Sequence, residues 1–341
     1  MAPWIPQNNI HPGARSQHSV IITGMNLVVA VDIGGTQIRT AVYEPNNSSP
    51  LKLQRVKSQA LKPGVYERLV RAIESVWPDH DQISAIGFSS PGPLDPHRGI
   101  ILATPNIPEW RDFPVKSKLT EHFGVPVHID NDANLAGLAE WKYGAGRGHH
   151  DVLYLTISTG IGGGVIIDDH LLQGYHGLAA EVGHMIIDPN GPPCGCGHRG
   201  HVESFASGPA IARYVNEQIA AGMKSTLQSD PNLSARQVAD AALEGDPLSC
   251  AAFARAGEYL GIAVANYLAI LDPSIIIFGG GVSQVGDLLL KPFEESLRKH
   301  ILHPRYLEDL VIARAALGDD AGLLGARALA ELKTEGVKVP S

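Results

Sequence analysis

The hydrophobic positions of the chain form two similar patterns, one in each half of the sequence. Residues 27–43, LVVAVDIGGTQIRTAVY, predict a buried strand, a Gly-Gly turn and a second strand, because β-branched runs flank the glycine pair. Residues 152–167 repeat this arrangement, with a glycine-rich turn between two apolar runs. The pattern therefore predicts two strand-turn-strand hairpins.

Other segments have the periods expected of helices and strands. From residue 249 to 271 the apolar residues recur every 3.6 positions and form a stripe that should face the core. Further helices are predicted at 65–76, 135–143 and 318–331, and strands at 83–88, 126–130 and 275–278. Residues 1–24 have no periodicity, which predicts a flexible arm or a stretch upstream of the true start.

The composition is that of an ordinary globular protein that handles small molecules. Apolar residues make up 44% of the chain and charged residues 18%, and its 341 residues favour two lobes over a single core. A formal net charge of −8 argues against a nucleic-acid or membrane surface as the main partner. The three cysteines leave no disulfide framework, and no signal peptide is recognised, so we expect a cytoplasmic protein.

The segment 178–203 concentrates metal-ligand chemistry. His184, Cys194, Cys196 and His201 lie within eighteen residues, and two thiolates with two imidazoles are a donor set that tetrahedral Zn²⁺ accepts. Four protein ligands would leave no open position for catalysis, so the expected Zn²⁺ is structural. The spacing of the two cysteines would strain a disulfide but allows both thiolates to face one ion. The alternative interpretation is a glycine-rich surface loop with incidental Cys and His.

The turn of the first hairpin has the residues of a phosphate site. Gly34 and Gly35 let backbone N–H groups approach an anion, Thr36 offers a hydroxyl, and Asp32 at the strand end can hold a hydrated Mg²⁺. A simpler interpretation is a turn with a capping Asp. Neither the strict GxGxxG fingerprint nor a P-loop sequence occurs, so a dinucleotide fold and a P-loop are not indicated.

A candidate catalytic residue follows the strand predicted at 126–130. Asp132 stands at the head of a predicted helix, where an N-cap is the commonest function of such a residue. Its exit from a strand end beside Asn131 also suits a pair that binds a sugar and accepts a proton. Both interpretations of Asp132 stay open from these residues alone.

These motifs resemble the signature of the ROK family of sugar kinases and sugar-responsive repressors. The family pattern is ExGH, about ten residues, CGCG, two residues and GCxE. Here ExGH is residues 181–184, CGCG is 194–197 and the last element is 200–203. His201 stands where the family usually has a third cysteine, so a Cys3His site becomes Cys2His2, which zinc tolerates.

The resemblance, which extends over nearly the whole chain, implies an α/β fold of two actin-like, ribonuclease H-like lobes. Each lobe should have a mixed sheet flanked by helices, with the ligand cleft between the lobes. We expect a small lobe over 25–131, completed by a helix at about 318–333, and a large lobe over 132–317 that contains the zinc loop 181–203. The lobes would close over sugar and nucleotide, and the resemblance suggests a homodimer.

The same resemblance implies an ATP-dependent hexose kinase, with the 6-hydroxyl of D-glucose as the expected acceptor. Asp132 would be the general base, which is typically worth about 10²–10⁴-fold, and Mg²⁺ would accompany the ATP. The implied sugar ligands are Asn106, Asn131, Asp132, Glu181, His184 and Glu203. The implied phosphate and nucleotide contacts are Asp32, Gly34, Gly35, Thr36, Thr159, Gly160, Gly280 and Gly281.

Three alternatives stay open. Kinases for N-acetylmannosamine, N-acetylglucosamine, fructose and allose share the quoted motifs, and polyphosphate could replace ATP as the donor. A sugar-responsive repressor is less favoured, because 26 residues precede the first strand and a helix-turn-helix domain needs more. A non-catalytic sugar-binding scaffold conflicts with the presence of both Asp32 and Asp132.

Overall fold

The structure is a computed structural model that describes residues 26–335, except 46, 48, 59–63, 80–81 and 105–106. The predicted arm 1–24 and the predicted sugar ligand Asn106 therefore lie outside the described residues. The strands are β1 (Leu27–Ile33), β2 (Gln37–Tyr43), β3 (Lys52–Lys57), β4 (Ile83–Ser90), β5 (Leu94–Asp95), β6 (Ile100–Ile101), β7 (Val127–Asn131), β8 (Val152–Ile157), β9 (Ile161–Ile167), β10 (His170–Leu171), β11 (Ile275–Gly279) and β12 (Val311–Arg314). The α-helices are α1 (Val65–Val76), α2 (Val115–Phe123), α3 (Asp132–Tyr143), α4 (Glu203–Ala206), α5 (Gly208–Ala220), α6 (Ala235–Leu243), α7 (Pro247–Leu271), α8 (Asp287–His300) and α9 (Ala321–Thr334).

The strands form two five-stranded mixed sheets of the same design. The first has the order β3-β2-β1-β4-β7, in which β1, β2 and β3 are antiparallel and β4 and β7 run parallel to β1. The second has the order β10-β9-β8-β11-β12, in which β8, β9 and β10 are antiparallel and β11 and β12 run parallel to β8. Each predicted hairpin is therefore the antiparallel start of one sheet.

Three clusters of buried apolar side chains hold these layers together. One lies between the first sheet and helices α1 and α2, around Phe88. Another lies between the second sheet and helices α5 to α8, around Phe293. The third joins Leu135 of α3 and Leu329 of α9 to residues of both sheets, so these two helices lie between the sheets. Each such side chain stabilises the fold by about 1.5–3 kcal/mol relative to an exposed position.

The closing helix packs closely on the first sheet. A Cβ on Gly87 of β4 would overlap the Ala326 carbonyl of α9, so this contact requires glycine. The predicted helix over 318–331 begins as the 3-10 turn Gly318–Asp320 and continues as α9. None of the helices in the described ranges combines the length and the apolar character needed to cross a bilayer.

Candidate active site

The turn of the first hairpin exposes backbone at the carboxyl end of β1. The Gly34 N–H donates to the Gln37 carbonyl oxygen at 2.8 Å and closes the turn. Thr36 is exposed, and its carbonyl oxygen accepts from the Ser58 N–H at 3.0 Å. The Gly34 N–H is thus used within the turn, whereas Gly35 is partly exposed and its N–H has room for an anion.

Asp32 is paired with an arginine that sequence reasoning did not identify. Arg39 lies opposite Asp32 across the hairpin and donates from Nε and Nη2 to one carboxylate oxygen, Oδ2, at 3.0 and 2.7 Å. The other oxygen faces Gly322 of α9, where a Cβ would come within 2.6 Å. Of the two Asp32 carboxylate oxygens Arg39 contacts only Oδ2, so Oδ1 is the one that could accept from a water of a hydrated cation. Hairpin register could have revealed this pair, since residues at equal distances from a turn face each other.

Thr159 and Gly160 occupy the turn between β8 and β9, and Glu203 fixes this turn. The Ser158 N–H donates to the Gly160 carbonyl oxygen at 2.9 Å, and the Ile161 N–H donates to Glu203 Oε2 at 2.9 Å. A Cβ on Gly160 would lie 2.5 Å from the same carboxylate oxygen, so glycine lets Glu203 reach the turn. The second glycine turn is thereby connected to the segment that carries the zinc motif.

A cavity of about 690 Å³ opens beside this turn. Thr159, Gly281 and residues around helix α6 line it, and its volume is within the range typical of small-molecule sites. Gly280 has a φ of 82°, and a Cβ there would overlap the Ile157 backbone, so this position requires glycine. Gly281 has open space where a Cβ would lie. The two glycines therefore differ in function: one shapes the loop, and the other leaves room in the cavity.

Asn131 and Asp132 stand where β7 ends and α3 begins. Asn131 is the N-cap residue, because its Oδ1 accepts from the Ala133 N–H at 2.9 Å. Asp132 Oδ1 accepts from the same N–H at 2.8 Å, and the Asp132 side chain is exposed to solvent. The helix thus begins three residues before the predicted Leu135, because Asn131 and not Asp132 is the capping residue.

The surroundings of Asp132 raise the pKa of its carboxyl group to about 6. The main cause is the loss of hydration among the surrounding protein groups, and the negative charges of Asp32 and Glu181 add to it, while the Ala133 N–H acts in the opposite direction. Water still reaches this carboxylate. An accessible carboxylate with such a pKa is suited to accept a proton from a bound ligand.

His184 presents its two ring nitrogens to different neighbours. Nδ1 lies 3.8 Å from Cys194 Sγ and 3.3 Å from His201 Nδ1, whereas Nε2 lies 4.0 Å from Glu181 Oε2. The 3-10 turn Val182–His184 sets this orientation. One nitrogen can therefore ligate a metal while the other contacts a ligand beside Glu181.

The four residues of the zinc motif meet in one cluster, with donor atoms that all lie within 4.8 Å of one another. Ideal tetrahedral zinc distances place two nitrogen ligands about 3.3 Å apart and a nitrogen and a sulfur about 3.6 Å apart. The two Nδ1 atoms of His184 and His201 are 3.3 Å apart, and the contacts His184–Cys194 and His201–Cys196 measure 3.8 and 3.3 Å. The donor set and its spacing therefore fit Zn²⁺.

The protonation of this cluster is consistent with a cation site. Burial lowers the pKa of His201, and the nearby His184 and His198 lower it further, which favours the neutral imidazole that ligates metals. Burial raises the pKa of Cys194 to about 11, so a bound cation is what would favour its thiolate. Cys194 Sγ also lies 3.4 Å from Glu203 Oε1.

Several of the predicted residues lie near one another although they are far apart in the sequence. Asp32, Glu181 and Asp132 are close enough for their charges to interact, and Glu203 contacts both Cys194 and the turn between β8 and β9. Sequence reasoning missed Asp130, a buried carboxylate directly before Asn131. A charged residue at the end of an apolar strand was the available signal.

The two-sheet fold, with glycine turns at the carboxyl ends of both sheets, defines a two-lobed actin-like α/β protein. A model of the ROK family matches residues 28–333, so this chain belongs to the ROK family. Both the predicted fold and the predicted family are confirmed.

Relatives of this chain include enzymes and regulators. It is 35% identical to a glucokinase of Thermotoga maritima over 89% of this chain and 96% of the relative. It is 31% identical to a xylose repressor of Bacillus spizizenii, over 87% of this chain and 72% of that protein.

Solved structures of ROK proteins are also similar to this chain over most of its length. A ROK hexokinase from Thermus thermophilus is 36% identical with a TM-score of 0.78, over 91% of this chain and 99% of the other. A ROK glucokinase from Streptomyces griseus, in complex with glucose and AMPPNP, is 35% identical with a TM-score of 0.71, over 89% of this chain and 99% of the other.

Proposed function

We propose that this protein is an ATP-dependent hexose kinase that phosphorylates the 6-hydroxyl of D-glucose, a glucokinase. The observation that carries the proposal is the accessible Asp132 carboxylate, whose pKa is raised to about 6 beside Asp32 and Glu181. Similarity to glucokinases over most of the chain supports the same activity.

Asp132 is the proposed general base. It accepts the proton of the 6-hydroxyl as that oxygen forms a bond to the γ-phosphorus of ATP, and the bond between this phosphorus and the β,γ-bridging oxygen breaks to release ADP. Proton transfer of this kind is worth about 10²–10⁴-fold. The remaining acceleration comes from orienting the two substrates and from stabilising charge on the transferred group.

The phosphate end of the site is assigned to the two glycine turns. Backbone N–H groups around Gly34, Gly35 and Gly160 hold the phosphate oxygens, and the cavity at Thr159 and Gly281 takes the nucleoside. Mg²⁺, when bound, neutralises charge on the β- and γ-phosphates. Asp32 would hold it through water, and the hydrogen bonds from Arg39 would orient the Asp32 carboxylate.

The sugar end of the site is assigned to Asn131, Glu181, His184 and Glu203. Hydroxyl groups removed from water need such polar partners. Zn²⁺, when bound, fixes the segment that carries three of them. The Cys194 thiol can donate to Glu203 Oε1, which lies 3.4 Å from its sulfur. A metal-bound Cys194 would be a thiolate without a proton to donate, so Glu203 Oε1 would then be free to accept from a sugar hydroxyl.

The identity of the sugar and of the donor is tested by one coupled-assay panel. Glucose, fructose, allose, mannose, N-acetylglucosamine and N-acetylmannosamine are each assayed with ATP and with polyphosphate. We expect the highest kcat/KM for glucose with ATP. A higher value for another pair would replace the assigned substrate, and no turnover with any pair would overturn the kinase proposal.

The similarity to xylose repressors favours sugar-responsive DNA binding as a second candidate. The net charge of −8 argues against it, because DNA-binding surfaces are basic. A DNA-binding assay at physiological salt distinguishes the two functions, and we expect no specific complex.

A homodimer and a cytoplasmic location remain predictions from the sequence. Light scattering of the purified protein tests the homodimer.

A further inference from the structure

A buried carboxylate lies directly before the candidate catalytic pair and is outside the functions assigned so far. Asp130 is 0% exposed. Its Oδ1 accepts from the Asn131 N–H at 2.7 Å and from Asn134 Nδ2 at 3.0 Å, and its Oδ2 accepts from Gln173 Nε2. Asp130 therefore fixes the turn that presents Asp132 and reaches beyond it to a distant segment.

That distant segment follows β10 in the second sheet and leads to Glu181 and His184. Gln173 is 6% exposed, and its own carbonyl oxygen accepts from the Ala179 N–H at 3.0 Å, which shapes the segment between them. Ala180 has a φ of 64°, a conformation that a residue with a Cβ keeps only when its surroundings hold it.

The same segment also contacts the hairpin of β5 and β6. The Gly174 carbonyl oxygen lies 3.2 Å from His97 Nε2, and Gly177 packs so closely on Pro96 that a Cβ would overlap it. A segment that leaves the second sheet is thus attached to two elements of the first half of the chain. The Asp130–Gln173 contact is the buried one of these attachments.

The stability of the fold alone does not explain a charged group at the buried position of Asp130. A buried carboxylate loses hydration, and packed apolar side chains of similar size stabilise a core at least as well. Directional hydrogen bonds, by contrast, hold groups in a defined relation. The hydrogen bonds of Asp130 are therefore suited to holding the segment at Gln173 in a fixed position relative to Asp132.

We propose that Asp130 is a positioning residue that, through Gln173, holds the sugar-binding segment at Glu181 and His184 in register with Asp132. This inference rests on the proposed kinase function. The sugar is held by the segment while its reacting hydroxyl meets Asp132, so a displacement of about 1 Å between them costs about 10²-fold in rate. The nucleotide contacts lie on other turns and are not affected.

The test exchanges the donor and the acceptor of the hydrogen bond between Gln173 and Asp130. Gln173→Glu places a second carboxylate against Asp130, and we expect kcat/KM for glucose to fall by about 10²-fold with KM for ATP unchanged. In the double variant Asp130→Asn/Gln173→Glu, the new amide donates to the new carboxylate. We expect it to recover most of the lost kcat/KM.

A matched control separates positioning from stability. Asp246 is a carboxylate of similar burial, 2% exposed, that accepts from Ser249 and Thr226 at the start of α7. Asp246→Ala should lower the melting temperature and leave KM for glucose unchanged.

Two results overturn the positioning role: an active wild type with an unaffected Gln173→Glu variant, or a double variant that recovers nothing. A wild type that phosphorylates no hexose overturns the proposed function itself, and the role of Asp130 with it.

Discussion

Asp132 combines two properties that are seldom found together, access to water and a raised pKa. Because an amide cannot accept a proton, Asp132→Asn should lower kcat by about 10²–10⁴-fold while the fold is retained. Steady-state kinetics on purified protein checks this. Asp287→Asn, an exposed carboxylate at the start of α8, is the control and should keep its kcat. Near wild-type turnover by Asp132→Asn would contradict the role of Asp132.

The raised pKa of Asp132 also predicts how activity and stability depend on pH. The proposed base must be ionised, so we expect kcat/KM of the wild type to fall as the pH drops below about 6. The folded pKa lies above the unfolded value, so ionisation of Asp132 opposes folding at neutral pH, and this cost disappears below the unfolded pKa of about 3.9. Asp132→Asn should therefore melt higher than the wild type at pH 7.5, with the difference vanishing near pH 4. An equal difference at both values would be inconsistent with the raised pKa.

At the scale of elements, the two glycines of the loop after β11 have different roles. Gly280 maintains the loop conformation, and Gly281 lines the cavity. Gly280→Ala should lower the melting temperature, because its φ of 82° and the Ile157 backbone leave no place for a methyl group. Gly281→Ala has room for the methyl group and should keep the melting temperature, but should raise KM for ATP because the methyl group enters the cavity. Thermal unfolding and kinetics of both variants test the assignment. An unchanged KM for ATP in Gly281→Ala would remove this loop from the nucleotide site.

The segment 181–203, the proposed zinc loop, is the second element whose role can be tested separately. His201→Ala removes one of the four proposed ligands, so zinc content and melting temperature should fall together, because binding of a structural metal contributes directly to folding free energy. His201→Cys keeps a ligand and should retain the metal. Metal analysis by mass spectrometry gives the answer, and full zinc content in His201→Ala would exclude His201 as a ligand.

At the scale of the whole molecule, the site forms where two similar sheets share the helices α3 and α9. The two hairpins, the long helix α7 and the meeting of His184, Cys194, Cys196 and His201 were predictable from the sequence, because each depends on a local period or a short spacing. The contact between Asp130 and Gln173 was not, since 43 residues separate the two and only the folded chain brings them together. The contact of Arg39 with the Asp319 carbonyl at the start of α9 is of the same kind, across 280 residues.

The prediction at this scale is that the two halves of the chain hold one hexose between them. The direct measurement is a crystal structure of the protein with glucose bound. We expect the 6-hydroxyl oxygen within about 2.6–3.2 Å of the Asp132 carboxylate, the reach of a general base. A glucose ring bound elsewhere, or bound with that hydroxyl turned away from Asp132, would contradict the proposed mechanism.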